Sequence, residues 1–266
     1  MSLKKRLKKR IERQERTYET EQLMKRKRSE EYEALEEVFD RPTLMAIYDL
    51  MNKGEIGEIH GVVSAGKEAR VYWGRTESGE ELAIKIFLTL SAEFRKGMLP
   101  YLIGDPRFKR IRRNPRSLVY TWAQKEYKNL LMAYQAKVRV PKPILVQKNV
   151  LLMEFIGKYG TSAPLLKDIE LPNPAGTYYK IMLYAKRLFR TAGLVHGDLS
   201  EYNIMIWKRN PVVFDVSQAV SMKHPNSSQF LIRDLQNINR YFKKLGVGVM
   251  ELEEAYKCVT GDKIVR

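Results

Sequence analysis

Four short segments of this 266-residue chain place charged or amide side chains where they could handle phosphate. The densest is His196-Gly197-Asp198-Leu199-Ser200-Glu201-Tyr202-Asn203. It sets a carboxylate, Asp198, five residues before a carboxamide, Asn203. Asp198 is suited to orient an attacking hydroxyl or accept its proton, and Asn203 to bind a metal. Twelve residues beyond Asn203, the apolar run Val212-Val213-Phe214 ends in Asp215. A carboxylate at a strand end can bind Mg²⁺ that bridges phosphates. Upstream, Ala83-Ile84-Lys85 puts a lysine inside an apolar run, fourteen residues after Val71. Between two further apolar runs lies Ser64-Ala65-Gly66-Lys67-Glu68, whose small residues let backbone N–H groups approach phosphate. Phosphoryl transfer needs little covalent help: the nucleotide must be held, its charge neutralised and the acceptor placed in line. Taken singly, each segment has a plainer explanation: an ordinary hairpin, a snorkelling lysine, a structural carboxylate. His196 reads as a packed core histidine. The four together, in this order, carry the phosphoryl-transfer reading.

These residues need elements to position them. Leu44, Met45, Ile47, Tyr48, Leu50 and Met51 recur at helical spacing ahead of Gly54. Gly61-Val62-Val63, Ala69 to Trp73 and Leu82 to Phe87, with a turn at Ser78-Gly79, read as a three-stranded antiparallel meander. Residues 91–117 are basic and lack apolar periodicity, so an irregular loop is expected, with Ser91 and Ser117 as candidate phosphorylation positions. A helix follows over Leu118 to Ala136, stopped before Pro141 and Pro143. Strands are expected at 144–147 and 150–155, a helix over about 175–192, and short strands at 204–207 and 212–214 around a turn at Lys208 to Pro211. The chain beyond about 226 has a helical pattern. Gly157 and Gly160 mark the crossing between a strand-rich half and a helical half. The fold class is therefore α+β, with one half over about 41–156 and the other over about 157–266.

Net charge is +17, from 48 basic and 31 acidic residues. That excess points to a polyanionic partner, RNA or a ribonucleoprotein, more than to a lysine-rich surface tuned for solubility. Residues 1–28 are the most basic stretch and 29–40 turn acidic, so 1–40 reads as a helical or disordered arm. No apolar run approaches the ~18 residues of a membrane span, and the basic N-terminus lacks the apolar stretch of a secretory signal. Cys258 is the single cysteine, so no internal disulfide can form. A cytoplasmic protein is expected.

At the four segments the chain resembles the RIO family of atypical protein kinases and ATPases. Ser64 to Tyr72, the His196–Asn203 loop and Asp215-Val216-Ser217-Gln218 look like its type-one subfamily, over roughly residues 41–240. The absence of long tails suggests an archaeal or minimal member. The resemblance implies a bilobal protein-kinase-like fold, with an antiparallel-sheet N-lobe and a reduced helical C-lobe that lacks the peptide-docking helices. It implies ATP and Mg²⁺ as cofactors, with Mn²⁺ as a substitute. Lys85 would pair with the α- and β-phosphates and with a helix glutamate, for which Glu126 is the candidate. Ser64, Ala65, Gly66, Lys67, Glu68 and Val71 would surround the nucleotide. Met153 would be the gatekeeper, and the backbones of Glu154 and Ile156 would meet adenine. Asp198 would act on the acceptor, and Asn203 and Asp215 would hold the metal. Asp215 is also a candidate for transient phosphorylation. The family role implied is an ATP-driven switch in maturation of the small ribosomal subunit, with pre-ribosomal particles and ribosomal RNA as partners. A winged-helix domain like that of the type-two subfamily is not expected in the N-terminal arm.

Departures from ordinary kinases refine the expectation. Gly197 stands where an arginine would grip a phosphorylated activation loop, so that switch should be absent. Ser200 stands near a position that kinases commonly give to lysine, leaving transition-state charge less well neutralised. Lys67 is a candidate to restore some of it. No Ala-Pro-Glu motif occurs in the 51 residues after Asp215. Two alternatives belong to other classes. Aminoglycoside and choline kinases also use a His-Gly-Asp loop, but they need a larger helical lobe with an acidic pocket. A non-catalytic RNA-binding scaffold is opposed by the intact set Lys85, Asp198, Asn203 and Asp215.

Overall fold

The computed structural model describes residues 35, 38–88, 92–108 and 114–262. The basic segment 1–28, and all but Leu35 and 38–40 of the expected N-terminal arm, lie outside them, as does Ser91. The first half is built on a five-stranded antiparallel sheet in the order β1-β2-β3-β5-β4. Its strands are β1 (Glu58–Ala65), β2 (Ala69–Arg75), β3 (Glu81–Phe87), β4 (Pro143–Gln147) and β5 (Val150–Glu154). Strand side chains alternate between faces, and β3 uses both. Leu82, Ile84 and Ile86 join Val150, Leu152 and Tyr72 in a core under helix α1 (Arg41–Asn52). α1 starts where Asp40 accepts a hydrogen bond from the Thr43 N–H at 3.1 Å, and it buries Ala46, Ile47 and Leu50 on the sheet. The other face of β3 carries Ala83, Lys85 and Phe87. This alternation sends Lys85 to the side opposite α1.

The segment 91–117 is not the irregular loop expected. Helix α2 spans Ala92–Leu102, and α3 runs from Pro115 to Gln135, earlier than expected and with Ser117 in its first turn. Gly97 and Pro100 hide α2 from a search for long periodicity. One helical pair, Met98 and Leu102, is fully buried against Trp122 and its neighbours and holds the element in place. Asn114 caps α3 by accepting from the Ser117 N–H at 2.7 Å, ahead of Pro115 in its first turn.

The second half is mainly helical. Two short strands, β6 (Gly157–Lys158) and β7 (Thr161–Ser162), lead to α4 (Pro174–Arg190). Strand β8 (Leu194–Val195) precedes the His196–Asn203 loop, and β9 (Ile204–Trp207) pairs with β10 (Asn210–Val213). The hairpin turn is just Lys208-Arg209, shorter than expected, because both residues adopt left-handed conformations, with φ of 49° and 62°. After a 3₁₀ turn at Val216–Gln218, β11 (Val220–Ser221) returns to pair with β8. Helices α5 (Ser227–Lys244) and α6 (Leu252–Thr260) close the lobe. One continuous core joins α3 to α4, α5 and α6 through Trp122, Tyr178, Ile181, Leu235, Phe242, Ala255 and Val259. α3 thus belongs to the strand-rich half in sequence but packs in the core of the helical half.

Candidate active site

Between the sheet and the helical half lies a cleft of about 490 Å³. Its lining includes Ser64, Gly66, Lys67, Glu68, Val71, Lys85, Glu126, Met153, Glu154, Ile156 and Asp215. The β1–β2 turn closes with the Gly66 N–H donating to Ala69 O at 3.0 Å, and Ser64 to Lys67 stay exposed. Ala65 is exposed beside that turn but does not line the cleft. The sheet contributes a small apolar ceiling of Val71 and Ala83. Met205, from β9, and Ala163 face it from the helical half. Sequence reading passed over these last three residues, because small or flexible apolar side chains carry no chemical signature.

Antiparallel pairing fixes Lys85. It faces Val71 on one side and Leu151 on the other. Its Nζ donates to Glu126 at 2.9 and 2.7 Å and to Asp215 Oδ1 at 2.9 Å. Burial works against the ammonium, but Asp215 and Glu126 outweigh it and raise the Lys85 pKa, so the amine stays charged. Burial pushes the Glu126 carboxyl up to about 7 against the pull of Lys85. Asp215 moves the other way. Enclosure opposes its charge, yet Lys85 and the Ser217 hydroxyl, 3.1 Å from Oδ1, keep its pKa below the ordinary carboxylate value. Its side chain is 42% exposed to the cleft. Asp215 has φ 53° and ψ 55°, a left-handed conformation that aspartate tolerates better than most residues and that recurs at functional sites.

Asp198 and Asn203 sit beside this cluster, half-buried. Asn203 Nδ2 donates to Asp198 O at 2.8 Å and to Asp198 Oδ2 at 3.0 Å. The amide thereby turns its oxygen away from Asp198, and the Phe214 N–H donates to Asn203 O at 3.0 Å, tying the loop to the strand that carries Asp215. His196 is a core residue, as expected. It is 2% exposed, with Nε2 3.2 Å from Phe214 O and the Asp198 N–H reaching Nδ1 at 3.3 Å.

Glu68 adds a fourth carboxylate, after Glu126, Asp215 and Asp198. Burial, Asp215 and Asp198 raise its pKa while Lys85 opposes them, so Glu68 faces the same cluster from the β1–β2 turn. Among the described residues no three acidic, imidazole or thiol side chains are gathered to hold a metal by themselves, but the pair of oxygen donors Asp215 and Asn203 fits Mg²⁺. The ion favours oxygen ligands and one or two carboxylates, with phosphate and water completing its shell. Asp215 Oδ2 and Asn203 Oδ1 make no hydrogen bond among the described residues.

Two further residues hold the His196–Asn203 loop. Asp234, on α5, accepts hydrogen bonds from the Gly197 and Leu199 N–H groups, both at 2.8 Å, and burial pushes its carboxyl up to about 7. Arg233 donates to Gly197 O. Sequence reading missed both, since each acts on backbone more than thirty residues away. Gly197 has φ 81°, and a Cβ there would lie 3.3 Å from Gln218 O and 3.6 Å from the Tyr101 ring. The position demands glycine on backbone grounds, beyond the loss of an arginine.

Glu154 lines the cleft while its carboxylate is engaged by neighbouring groups. Its carboxylate is held by Arg139 at 2.7 and 2.6 Å and by the Lys142 N–H at 3.1 Å, and its own N–H donates to Lys142 O. Ile156 O accepts from the Ala163 N–H, while the Ile156 N–H has no partner among the described residues.

A five-stranded antiparallel lobe, a helical lobe, and a cleft lined by Lys85, Glu126 and Asp215 define a protein-kinase-like phosphotransferase; Asp198 and Asn203 lie on the adjoining loop, outside the lining. The comparisons narrow the class. A RIO domain model matches residues 70–255. The RIO-type serine/threonine-protein kinase Rio1 of Haloferax volcanii is 41% identical over 90% of this chain and 82% of its own length. The Rio1 of Methanocaldococcus jannaschii is 38% identical over 94% and 85%. Human serine/threonine-protein kinase RIO1 is 39% identical over 86% of this chain, which spans only 41% of that longer protein. Among solved structures, the Rio2 kinase of Chaetomium thermophilum superposes with a TM-score of 0.64 at 23% identity, over 82% of this chain and 68% of that one. The chain belongs to the RIO family of atypical serine/threonine kinases, and within it is closely related to the Rio1 type.

Proposed function

We propose that this chain is an ATP- and Mg²⁺-dependent atypical serine/threonine kinase and ATPase that works as a switch on small-ribosomal-subunit precursors in the cytoplasm. The observation that carries the enzymatic part is the junction of Lys85 with Glu126 and Asp215, beside an Asp198 held by Asn203. In this reading adenine lies between Val71 and Ala83 on one side and Met205 on the other. The Glu154 carbonyl and Ile156 N–H meet its edge, with Met153 behind it. Ser64 to Glu68 cover the phosphates, and Lys67 adds positive charge near the transferring group. Asn203 and Asp215 hold the metal, which when bound neutralises phosphate charge and lets the exposed carboxylate approach it. The hold of Asn203 leaves Asp198 one free oxygen to orient an acceptor or take its proton.

Asp215 also suits the role of acceptor. Its Oδ2 attacks the γ-phosphorus, the bond to the β-bridging oxygen breaks, and ADP leaves with that electron pair. Water then hydrolyses the acyl phosphate, restoring the carboxylate and releasing inorganic phosphate. A Rio2 kinase of C. thermophilum has been solved as an ADP/Mg²⁺-phosphoaspartate complex, which supports this reading. The small-molecule and scaffold alternatives gain no support from the site or from the relatives. The test is incubation with γ-labelled ATP. A protein-bound label released by hydroxylamine and absent from Asp215→Asn is expected. A hydroxylamine-stable label that persists in Asp215→Asn would place the phosphate on a serine or threonine instead.

A further inference from the structure

α3 presents three polar side chains together, Lys125, Glu126 and Asn129, each at most 1% exposed. Glu126 holds Lys85. The other two turn to the backbone just after Asp215. Lys125 Nζ donates to Ser217 O at 2.7 Å and also to Ala219 O. Asn129 Nδ2 donates to Val216 O at 2.8 Å and to Ala219 O at 2.9 Å. Asn129 is itself oriented, because its Oδ1 accepts from Arg107 Nη1 at 2.7 Å. Arg107 is locked by Asp105, whose Oδ2 also accepts from the Ser221 N–H at 3.2 Å.

Burying an amine costs several kcal/mol unless it is well satisfied. Lys125 makes no ion pair with a carboxylate among the described residues, and its hydrogen bonds go to two carbonyls of one turn. A methionine of similar length would fill the space but would take the donor from Ser217 O and leave Ala219 O to Asn129 Nδ2 and the longer contact from Arg107 Nη2 at 3.4 Å. The turn it grips begins at the left-handed Asp215, whose ψ sets where Val216 and Ser217 lie, and the reverse holds too. Fixing the carbonyls of Val216, Ser217 and Ala219 therefore fixes the direction of the Asp215 carboxylate. The same helix face fixes Lys85 through Glu126, so α3 sets the position of both partners.

We propose that Lys125 and Asn129 are positioning residues: they clamp the Val216–Ala219 turn to α3 so that Asp215 meets the metal-bound nucleotide in register with Lys85. This rests on the reading of Asp215 as a metal ligand. Partners that orient a metal ligand typically contribute 10–100-fold to metal affinity.

The experiment compares wild type, Lys125→Met and Asn129→Ala, the last being the milder change should the first not fold. Mn²⁺ affinity in the presence of ADP is read by electron paramagnetic resonance, and ADP affinity in EDTA by calorimetry. Hydrogen exchange is followed over residues 215–221 and over α5. The expected result is Mn²⁺ binding weakened at least about tenfold, metal-free ADP affinity within about twofold of wild type, and protection lost at 215–221 but kept in α5. Wild-type Mn²⁺ affinity in a variant whose 215–221 segment has opened overturns the proposal, as does unchanged protection there. A parallel loss of Mn²⁺ and metal-free ADP affinity also overturns it, since that is general damage to the cleft. Asp215→Asn is the control for the underlying reading. If it leaves Mn²⁺ affinity intact, the metal assignment of Asp215 fails, whereas the exchange data still decide whether the clamp exists.

Discussion

His196 shows how one buried side chain ties the loop from His196 to Asn203 to pH. Both ring nitrogens are engaged, Nδ1 by the Asp198 N–H and Nε2 with Phe214 O, which suits the neutral ring. Burial lowers its pKa, against the pull of Asp198. The unfolded chain takes up a proton near pH 6.5, while the folded one does not until lower pH. The stability contributed by neutral His196 is therefore full above about pH 6.5 and is lost as pH falls through the folded-state value, by at most about 1.4 kcal/mol per pH unit. Glu126 and Asp234 oppose this, because carboxyls raised to about 7 favour the folded state at low pH and lose that contribution as pH rises. Urea unfolding of wild type and His196→Gln between pH 5 and 8 separates the two. The variant should be less stable at pH 8, and the gap should narrow toward pH 5. A constant gap would mean that His196 does not titrate differently on folding. The four segments with charged or amide side chains were legible from sequence because their spacing is local. Asp234, Lys125 and Asn129 were not, because their partners are backbone groups that only the fold brings near.

Elements were legible where apolar periodicity was long and was lost where it was short. The sheet strands followed from alternation, whereas α2 contains a proline and, among the described residues, anchors through Met98, Leu102 and a Tyr101 ring stacked on Phe230. The β9–β10 hairpin is a different failure. Two-residue turns of this hand favour Asn-Gly, and this chain has Lys208-Arg209 with φ of 49° and 62°. Proline at 211 drew the expected turn too far along the chain. The mismatch has an energetic consequence. Each non-glycine residue in the left-handed region costs roughly 1–2 kcal/mol, and both side chains are exposed, with the Lys208 ammonium 5.8 Å from the Trp207 ring centre to recover a part of it. Replacing the pair by Asn-Gly should stabilise the protein by about 1 kcal/mol, a rise of roughly 2–4 °C in the thermal midpoint. ATP hydrolysis should not change, because neither residue lines the cleft. An unchanged or lower midpoint would show that the lysine and arginine make compensating contacts.

At the scale of the whole molecule, charge and turn chemistry point the same way. Of the six non-glycine residues with positive φ among the described residues, four are Lys137, Lys148, Lys208 and Arg209, so basic side chains occupy turn positions where glycine or asparagine would be more comfortable. Lys137, Lys148, Lys208 and Arg209 are exposed. With a net charge of +17, the surface is suited to a polyanion, and ribosomal RNA is the partner proposed above. Such binding releases counterions, so the logarithm of affinity falls linearly with the logarithm of salt, with a slope set by the number of phosphates neutralised. Residues 1–28 hold twelve basic and four acidic residues, close to half of the chain's net charge. If that segment lies on RNA, its deletion should reduce the slope by roughly half while ATP hydrolysis persists. The residual slope would then belong to the folded domain, where replacing Lys208 and Arg209 should reduce it again. Filter binding to a small-subunit RNA fragment at several salt concentrations measures all three slopes. Equal slopes for the full chain and the deletion would remove residues 1–28 from the interface, leaving the basic turns of the domain to carry it.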